Sequence, residues 1–222
     1  MLQSGLSLAQ IDAGNGARGK PQRLGFAAEF CGQRLDVHFY FHFILAAMID
    51  FIHSPDDNEP ALNAQLADEA ATLALGAKLA AVLEPTLKIW LSGDLGSGKT
   101  TLTRGVLRAL GHQGPVKSPT YSLIEPYVVS RLHLYHFDFY RMNFPEEFLD
   151  AGLEEYFSGT GVCIVEWPQQ AAPYLAAPDL LVALAAHEDG RQARITAKTE
   201  TGQRCIDRLT GNTTPPQTAP QA

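Results

Sequence analysis

Apolar residues recur every three or four positions through residues 61–84 (ALNAQLADEAATLALGAKLAAVLE), with Leu62, Leu66, Ala70, Leu73 and Ala77 on one face. This spacing predicts a helix. The pattern then shortens. Residues 86–92 (TLKIWLS) form a brief apolar run of strand type, suited to a parallel strand buried on both sides. Residues 99–111 (KTTLTRGVLRALG) return to helical spacing, with Leu102, Val106, Ala109 and Leu110 on one face and Gly111 placed to end the helix. After a loop (GHQGPVKSPTYS), LIEPYVV and RLHLYHFDFYR read as two strands of a hairpin, followed by a short acidic helix around PEEFLDAGLEEYF. GVCIVEW is another buried strand, and DLLVALAAH with RQARITAK forms a second hairpin around EDG. Strands mixed with helices in this order predict an α/β fold: a mixed, mainly parallel sheet with helices on both faces, in a single domain.

The ends of the chain depart from that pattern. The first 25 residues lack sustained periodicity, and VHFYFHFILAAM is an aromatic burst, too short for a membrane span and too far from Met1 for a signal peptide. This reading places the domain at 48–210, starting at Met48, with residues 1–47 as upstream sequence read in frame. A rival reading makes them an appendage with a weak membrane or partner contact. Residues 211–222 (GNTTPPQTAPQA) are proline-rich and polar, the composition of a disordered tail.

The junction between the first strand and the following helix carries the clearest chemistry. LSGDLGSGKT fits the phosphate-loop pattern G-x-x-x-x-G-K-[ST], with Gly93, Gly98, Lys99 and Thr100 at the fixed positions. The loop residues Gly93, Asp94, Leu95, Gly96, Ser97, Gly98, Lys99, Thr100 and Thr101 are therefore the candidate nucleotide contacts. Glycines let successive N–H groups turn toward a phosphate, and the helix start adds partial positive charge. Lys99 is placed to neutralise β- and γ-phosphate oxygens, and the Thr100 hydroxyl to complete a Mg²⁺ shell. Glu166 ends the apolar strand VCIVE, where the crevice of a parallel sheet opens and the second acidic group of a phosphate-loop enzyme sits, with a surface carboxylate at a strand end as the alternative.

Asp138 lies among aromatics in LYHFDFYR, sharing a strand face with Leu134, His136 and Tyr140, while His133 faces the other way. The two histidines point apart, which argues against a His/His/Asp metal site. A buried carboxylate there needs a partner, either magnesium-bound water or Arg141, with a structural salt bridge as the alternative. KSPTYSL, with Ser118 and Thr120, is a candidate γ-phosphate switch. Arg104 and Arg108 read as the solvated face of the helix.

Charge and cysteines narrow the class. The chain carries 17 Lys and Arg against 24 Asp and Glu, a formal net charge of −7. That balance argues against a protein that grips nucleic acid unaided. Cys31, Cys163 and Cys205 are odd in number and far apart, without a C-x-x-C, so neither a disulfide framework nor a zinc knuckle is expected. A reducing, cytoplasmic setting follows.

Taken in order, GDLGSGKTTLTRG, SPTYSLIEPY, LYHFDFYR and VCIVEWPQ resemble the TsaE (YjeE) family, from about residue 60 to residue 175. The resemblance implies a phosphate-loop ATPase required for N6-threonylcarbamoyladenosine at position 37 of tRNAs reading ANN codons. It implies that Lys99 and the loop glycines bind ATP, that Thr100 and Glu166 hold Mg²⁺, that Thr120 belongs to the switch and that Asp138 is needed for hydrolysis. Trp167 matches the family's Glu-Trp pair. The implied partner is a threonylcarbamoyl-transfer complex of TsaD and TsaB type, with tRNA met only indirectly and no membrane involved. The competing classes are a small-metabolite kinase, for which no basic lid segment follows the first helix, and a nonenzymatic nucleotide sensor. A regulatory GTPase is weaker, since D-x-x-G and N-K-x-D are both missing.

Overall fold

The computed structural model describes residues 28–30, 33–35, 51–53, 61–129, 132–187 and 190–212, with side chains from residue 61 onward. The chain divides into two compact units, Met1–Val37 and His38–Ala222. In the first, strands β1 (Ala28–Phe30) and β2 (Gln33–Leu35) pair antiparallel. The expected boundary at Met48 and the tail from residue 213 lie outside the described residues.

The second unit is built on an eight-stranded sheet. Its strands are β3 (Phe51–His53), β4 (Ala61–Leu66), β5 (Lys88–Ser92), β6 (Ile124–Val129), β7 (Leu132–Asp138), β8 (Val162–Glu166), β9 (Leu180–His187) and β10 (Gly190–Ala197). Their spatial order is β3-β4-β10-β9-β5-β8-β7-β6. The four central strands β9, β5, β8 and β7 run parallel, and the margins are antiparallel. Both expected hairpins form, β6 with β7 and β9 with β10. Every residue of β8 is buried, which is why VCIVE reads as an unbroken apolar run rather than an alternation.

One face of the sheet is covered by helices α1 (Glu69–Ala80), α2 (Lys99–Ala109) and α5 (Glu200–Thr210). Leu75, Leu79, Leu102, Val106 and Ile206 pack there with Leu62, Leu91, Ile164 and Ile195 of the strands. The other face carries the short helices α3 (Glu147–Asp150) and α4 (Glu154–Ser158) and a 3-10 turn at Pro168–Ala171. Phe137, Phe139, Phe148 and Phe157 form the core on that side. Among the described residues no helix is long and apolar enough to cross a membrane.

Two expectations need correction. Ala61–Leu66 is a strand rather than the start of a helix, with Leu62, Ala64 and Leu66 buried at every second position. A spacing of four suits both periods, and here pairing with β10 decides. The helix begins only after Asp68, whose carboxylate caps the Ala71 N–H at 2.8 Å. The buried residues of α1 are accordingly Thr72, Ala74, Leu75, Gly76 and Leu79; Ala70 is exposed, and Leu73 and Ala77 are half-buried. Helix α5 is the second difference. The sequence reading leaves it unassigned, yet Thr199 caps it on Gly202 and Gly211 ends it.

Helix α2 ends as its sequence predicts. The Gly111 N–H donates to the Arg108 carbonyl at 3.0 Å and the His112 N–H to Leu107 at 2.9 Å, the double closure of a Schellman motif.

Candidate functional site

The phosphate loop leaves β5 at Ser92 and enters α2 at Lys99. Gly93 has φ of 136°, and a Cβ there would lie 2.1 Å from the Leu184 carbonyl oxygen of β9, so only glycine fits. Gly98, with φ of 104°, turns the chain into the helix, and no side chain caps that end. The first-turn N–H groups of α2 thus remain available to an anion. Ser97 closes the loop by donating its N–H to the Asp94 carbonyl at 3.1 Å.

Lys99 is only 4% exposed. Its ammonium donates to the carbonyls of Gly93 at 2.7 Å and Asp94 at 2.8 Å, and lies 4.3 Å from the centre of the Trp167 ring. Burial pulls its pKa below the ordinary lysine value; Glu166, Asp138 and Asp94 oppose that shift. A cation held this way, among oxygens it can exchange for phosphate oxygens, suits a polyphosphate.

Two buried carboxylates form the opposite wall. Asp138 and Glu166 are direct neighbours in the parallel register of β7 and β8, at the strand ends that open beside the loop. Glu166 Oε1 accepts from the Thr100 hydroxyl at 2.8 Å and lies 2.9 Å from His136 Nε2. Asp138 Oδ2 accepts from the hydroxyls of Ser118 and, at 3.1 Å, Thr120, while its Oδ1 accepts the Tyr140 N–H at 2.9 Å. The candidate switch is therefore tied to Asp138 by two hydroxyls. Arg141 is not its partner, contrary to one sequence expectation: that guanidinium lies over the Tyr121 ring at 4.5 Å. Arg141 sits within the turn that follows β7, closed by the Met142 N–H on the Phe139 carbonyl at 3.0 Å.

These groups enclose a cleft of about 300 Å³. Leu95, Gly96, Gly98, Lys99, Thr100, Thr101, Thr120, Asp138 and Glu166, all singled out from the sequence, line it. Gly93, Asp94 and Ser97 stand behind it; the first two supply the carbonyls that hold Lys99. Ser118, Tyr140, Trp167 and Arg191 complete the wall. Arg191 escapes the sequence reading, although its alternation with the apolar Ala193 and Ile195 marks it as belonging to a covered face. The His136 contact escapes as well, because it depends on the register between β7 and β8.

The donor set fits a hard divalent cation. A threonine hydroxyl and a carboxylate 2.8 Å apart are oxygen ligands of the kind Mg²⁺ takes when phosphates and water supply the rest. Among the described residues no group of three or more His, Cys, Asp or Glu side chains could hold a metal alone. His133 is exposed and His136 fully buried, so the two side chains leave β7 on opposite faces.

Comparison with known proteins places this cleft in a lineage. Residues 66–195 match the family model "Threonylcarbamoyl adenosine biosynthesis protein TsaE". The tRNA threonylcarbamoyladenosine biosynthesis protein TsaE of Haemophilus influenzae is 41% identical over 150 residues, covering 65% of this chain and 95% of that protein. Its Bacillus subtilis counterpart is 42% identical over 127 residues, 57% of this chain and 79% of that one. The crystal structure of Bacillus subtilis YdiB superposes with a TM-score of 0.61 at 32% identity, covering 70% of this chain and 98% of YdiB. The matched span runs from the last residue of β4 to Ile195 in β10 and contains the whole cleft, so the chain belongs to the TsaE family.

Proposed function

We propose that this protein binds ATP with Mg²⁺ and hydrolyses it to support formation of N6-threonylcarbamoyladenosine at position 37 of tRNAs that read ANN codons. The observation that carries this reading is the register of Asp138 beside Glu166, at the mouth of a phosphate loop whose Thr100 bonds Glu166. The loop amides and Lys99 bind the phosphates. Thr100 and Glu166 would hold the magnesium, which would supply positive charge to the phosphates. His136 fixes the Glu166 carboxylate by donating Nε2–H to Oε1. Asp138 orients the attacking water, whose oxygen bonds the γ-phosphorus as the bond to ADP breaks. Ser118 and Thr120 couple that carboxylate to the switch at residues 117–123.

The protein acts with a threonylcarbamoyl-transfer complex of TsaD and TsaB type, in the cytoplasm. ATP favours association, and hydrolysis resets the complex for another tRNA. The net charge of −7 supports leaving the RNA to that complex. Lys99→Ala is expected to fold and to lose ATP turnover, while Asp138→Asn binds ATP yet sustains fewer rounds of adenosine modification per complex. Labelled ATP with product analysis checks the reaction. Unaltered hydrolysis in Lys99→Ala refutes the loop assignment, and transfer of the label to a metabolite refutes hydrolysis in favour of a kinase.

A further inference from the structure

Among the described residues three other than glycine hold a left-handed φ: Thr86, Leu123 and Trp167. Two of them adjoin the carboxylates of the cleft. Trp167 follows Glu166 directly, and Leu123, at φ of 63°, accepts the Asp138 N–H on its carbonyl at 3.1 Å. That conformation is unfavourable for leucine, whose Cβ crowds the carbonyl oxygen that follows, and it persists only where neighbouring contacts impose it. Here two backbone bonds do so. The Leu123 N–H donates to the Pro119 carbonyl at 2.7 Å, while the Leu123 carbonyl takes the N–H of Asp138. The leucine side chain is half-buried against the aromatic core.

The turn formed in this way closes on Asp138 a second time. Ser118 and Thr120 donate their hydroxyls to Oδ2, and Oδ1 accepts the Tyr140 N–H. Three of the roughly four acceptor positions of the carboxylate are therefore filled by the protein itself. Outside those bonds the turn is lightly held. Tyr121 is 86% exposed and Ser122 is exposed, and the Tyr121 ring lies under the exposed Arg141 guanidinium, a contact made in water and therefore weak. We infer that Leu123 is the sprung pivot of the switch: the turn masks Asp138 with its hydroxyls, and backbone strain at Leu123 drives the turn open so that the carboxylate can take the attacking water. This rests on the hydrolytic reading above. In the open form Leu123 returns to the extended backbone that continues into β6 at Ile124, its N–H leaves Pro119, and Ser118 and Thr120 leave Oδ2. The hydroxyl bonds favour the closed form and the strain offsets part of that preference, which keeps the two forms close in free energy, as a switch requires. Leu123 touches no reacting atom; it is a positioning residue that acts through Asp138.

The test is amide hydrogen exchange of the full chain without nucleotide, read at Leu123 and Asp138, beside ATP affinity and turnover. Wild type is compared with Leu123→Gly, Leu123→Asn and Leu123→Ala. Glycine has no Cβ and asparagine tolerates the left-handed region, so both relieve the strain; alanine keeps the Cβ and loses only the packing. Relief favours the closed form by about tenfold, the size of the penalty on one left-handed residue. In Leu123→Gly and Leu123→Asn, exchange at both amides is therefore expected to slow by about that factor. The turnover number at saturating ATP falls with it, while the ATP dissociation constant stays within about twofold of wild type. Leu123→Ala should exchange no more slowly than wild type. Exchange that quickens or stays the same in both the glycine and asparagine variants overturns the inference. Slowing shared by Leu123→Ala overturns it too, since the effect would then belong to the side chain, and so does slower exchange with unchanged turnover. If wild type hydrolyses no ATP, the hydrolytic reading fails whatever the exchange shows. If wild type hydrolyses ATP and the exchange does not slow, the inference alone falls.

Discussion

On one face of the sheet the core is aliphatic and the helices meet backbone to backbone; on the other it is aromatic and the helices are one or two turns long. The aliphatic face brings α1 against α2 so closely that a Cβ on Gly76 would lie 2.4 Å from the Leu102 carbonyl oxygen, and one on Gly105 would lie 2.3 Å from that of Leu73. Helix α2 begins in the phosphate loop, so this contact fixes the loop. The aromatic face works through strand ends instead. Phe137 stacks on Phe157 at 4.9 Å, and Phe139 meets Phe148 edge-on at 5.9 Å. Asp138 stands between those two phenylalanines and points to the opposite side of the sheet. The aliphatic face therefore fixes the position of the phosphate loop, and the aromatic face fixes the strand ends that carry the two carboxylates.

The contrast breaks most visibly at Phe148, which is 1% exposed. Phe148→Ala should cost about 4 kcal/mol of stability, the usual loss for a buried phenylalanine, read from denaturant unfolding. Below the unfolding transition, ATP turnover should fall by a larger factor than nucleotide affinity, because Phe139 loses its buttress while the loop keeps its own. Equal losses in binding and turnover would mean that the two faces do not divide the work.

Gly105→Ala probes the other side. The added methyl has no room between α1 and α2, so the helices must part, at a cost of about 2–3 kcal/mol. Here nucleotide affinity should fall with stability, since displacing α2 displaces the amides at its start. Calorimetric titration of ADP checks this, and unchanged affinity in a destabilised protein would detach the loop from the helix contact.

The sequence makes the loop and β8 legible for physical reasons. A phosphate loop needs particular residues at fixed spacing, and a strand buried on both sides has few alternatives to a short apolar run. Ala61–Leu66 is misread because Leu62 and Leu66 satisfy helix and strand periods equally, and only pairing with β10 separates them. The partners of Asp138 and Glu166 are hidden for a related reason. Register between β7 and β8 sets His136 beside Glu166, and the pairing of β6 with β7, continued by the Asp138 N–H on the Leu123 carbonyl, brings Ser118 and Thr120 to Asp138; both are tertiary properties. Helix α5, by contrast, is legible: Thr199 before it, Gly211 after it, and Gly202, Cys205, Ile206 and Leu209 recurring along one face give it as clear a helical period as that of α2.

Among the described residues two cysteines, Cys163 and Cys205, sharpen the comparison at smaller amplitude, one on each face. Burial pushes the Cys163 thiol up to about 12 and that of Cys205 up to about 11, so neither supplies thiolate at pH 8 while folded. Cys163 is on the central strand β8, whereas Cys205 is on the final helix, where its thiol faces the Val82 carbonyl at 3.4 Å. With a thiol-alkylating reagent at pH 8 and rising urea, peptide mapping should find Cys205 modified before Cys163, through fraying of α5. The reverse order would make the aromatic face the looser one.

The smallest effect lies at the edge of the aliphatic face, where Glu84 holds α5. Its carboxylate accepts from Arg204 at 2.9 Å and Arg208 at 2.7 Å. Partial burial disfavours the charged form, but the two guanidinium groups outweigh it and hold the Glu84 pKa below the usual glutamate value. A folded pKa lower than the unfolded one means that the pair stabilises the protein above the ordinary glutamate range, and that this contribution is lost as pH falls through the lowered folded value. Both arginines are more than a third exposed, so solvent screening keeps the contribution small, about 0.5–1 kcal/mol. Glu84→Gln should therefore be slightly less stable than wild type at neutral pH, and the difference should vanish in acid and shrink in 1 M salt. Amide exchange in α5 should quicken in the variant while exchange in α2 stays as it was. A stability gap that persists unchanged into acid would show that Glu84 acts by packing rather than by charge, and faster exchange in α2 as well would mean that the end of this face and the loop it supports are not independent.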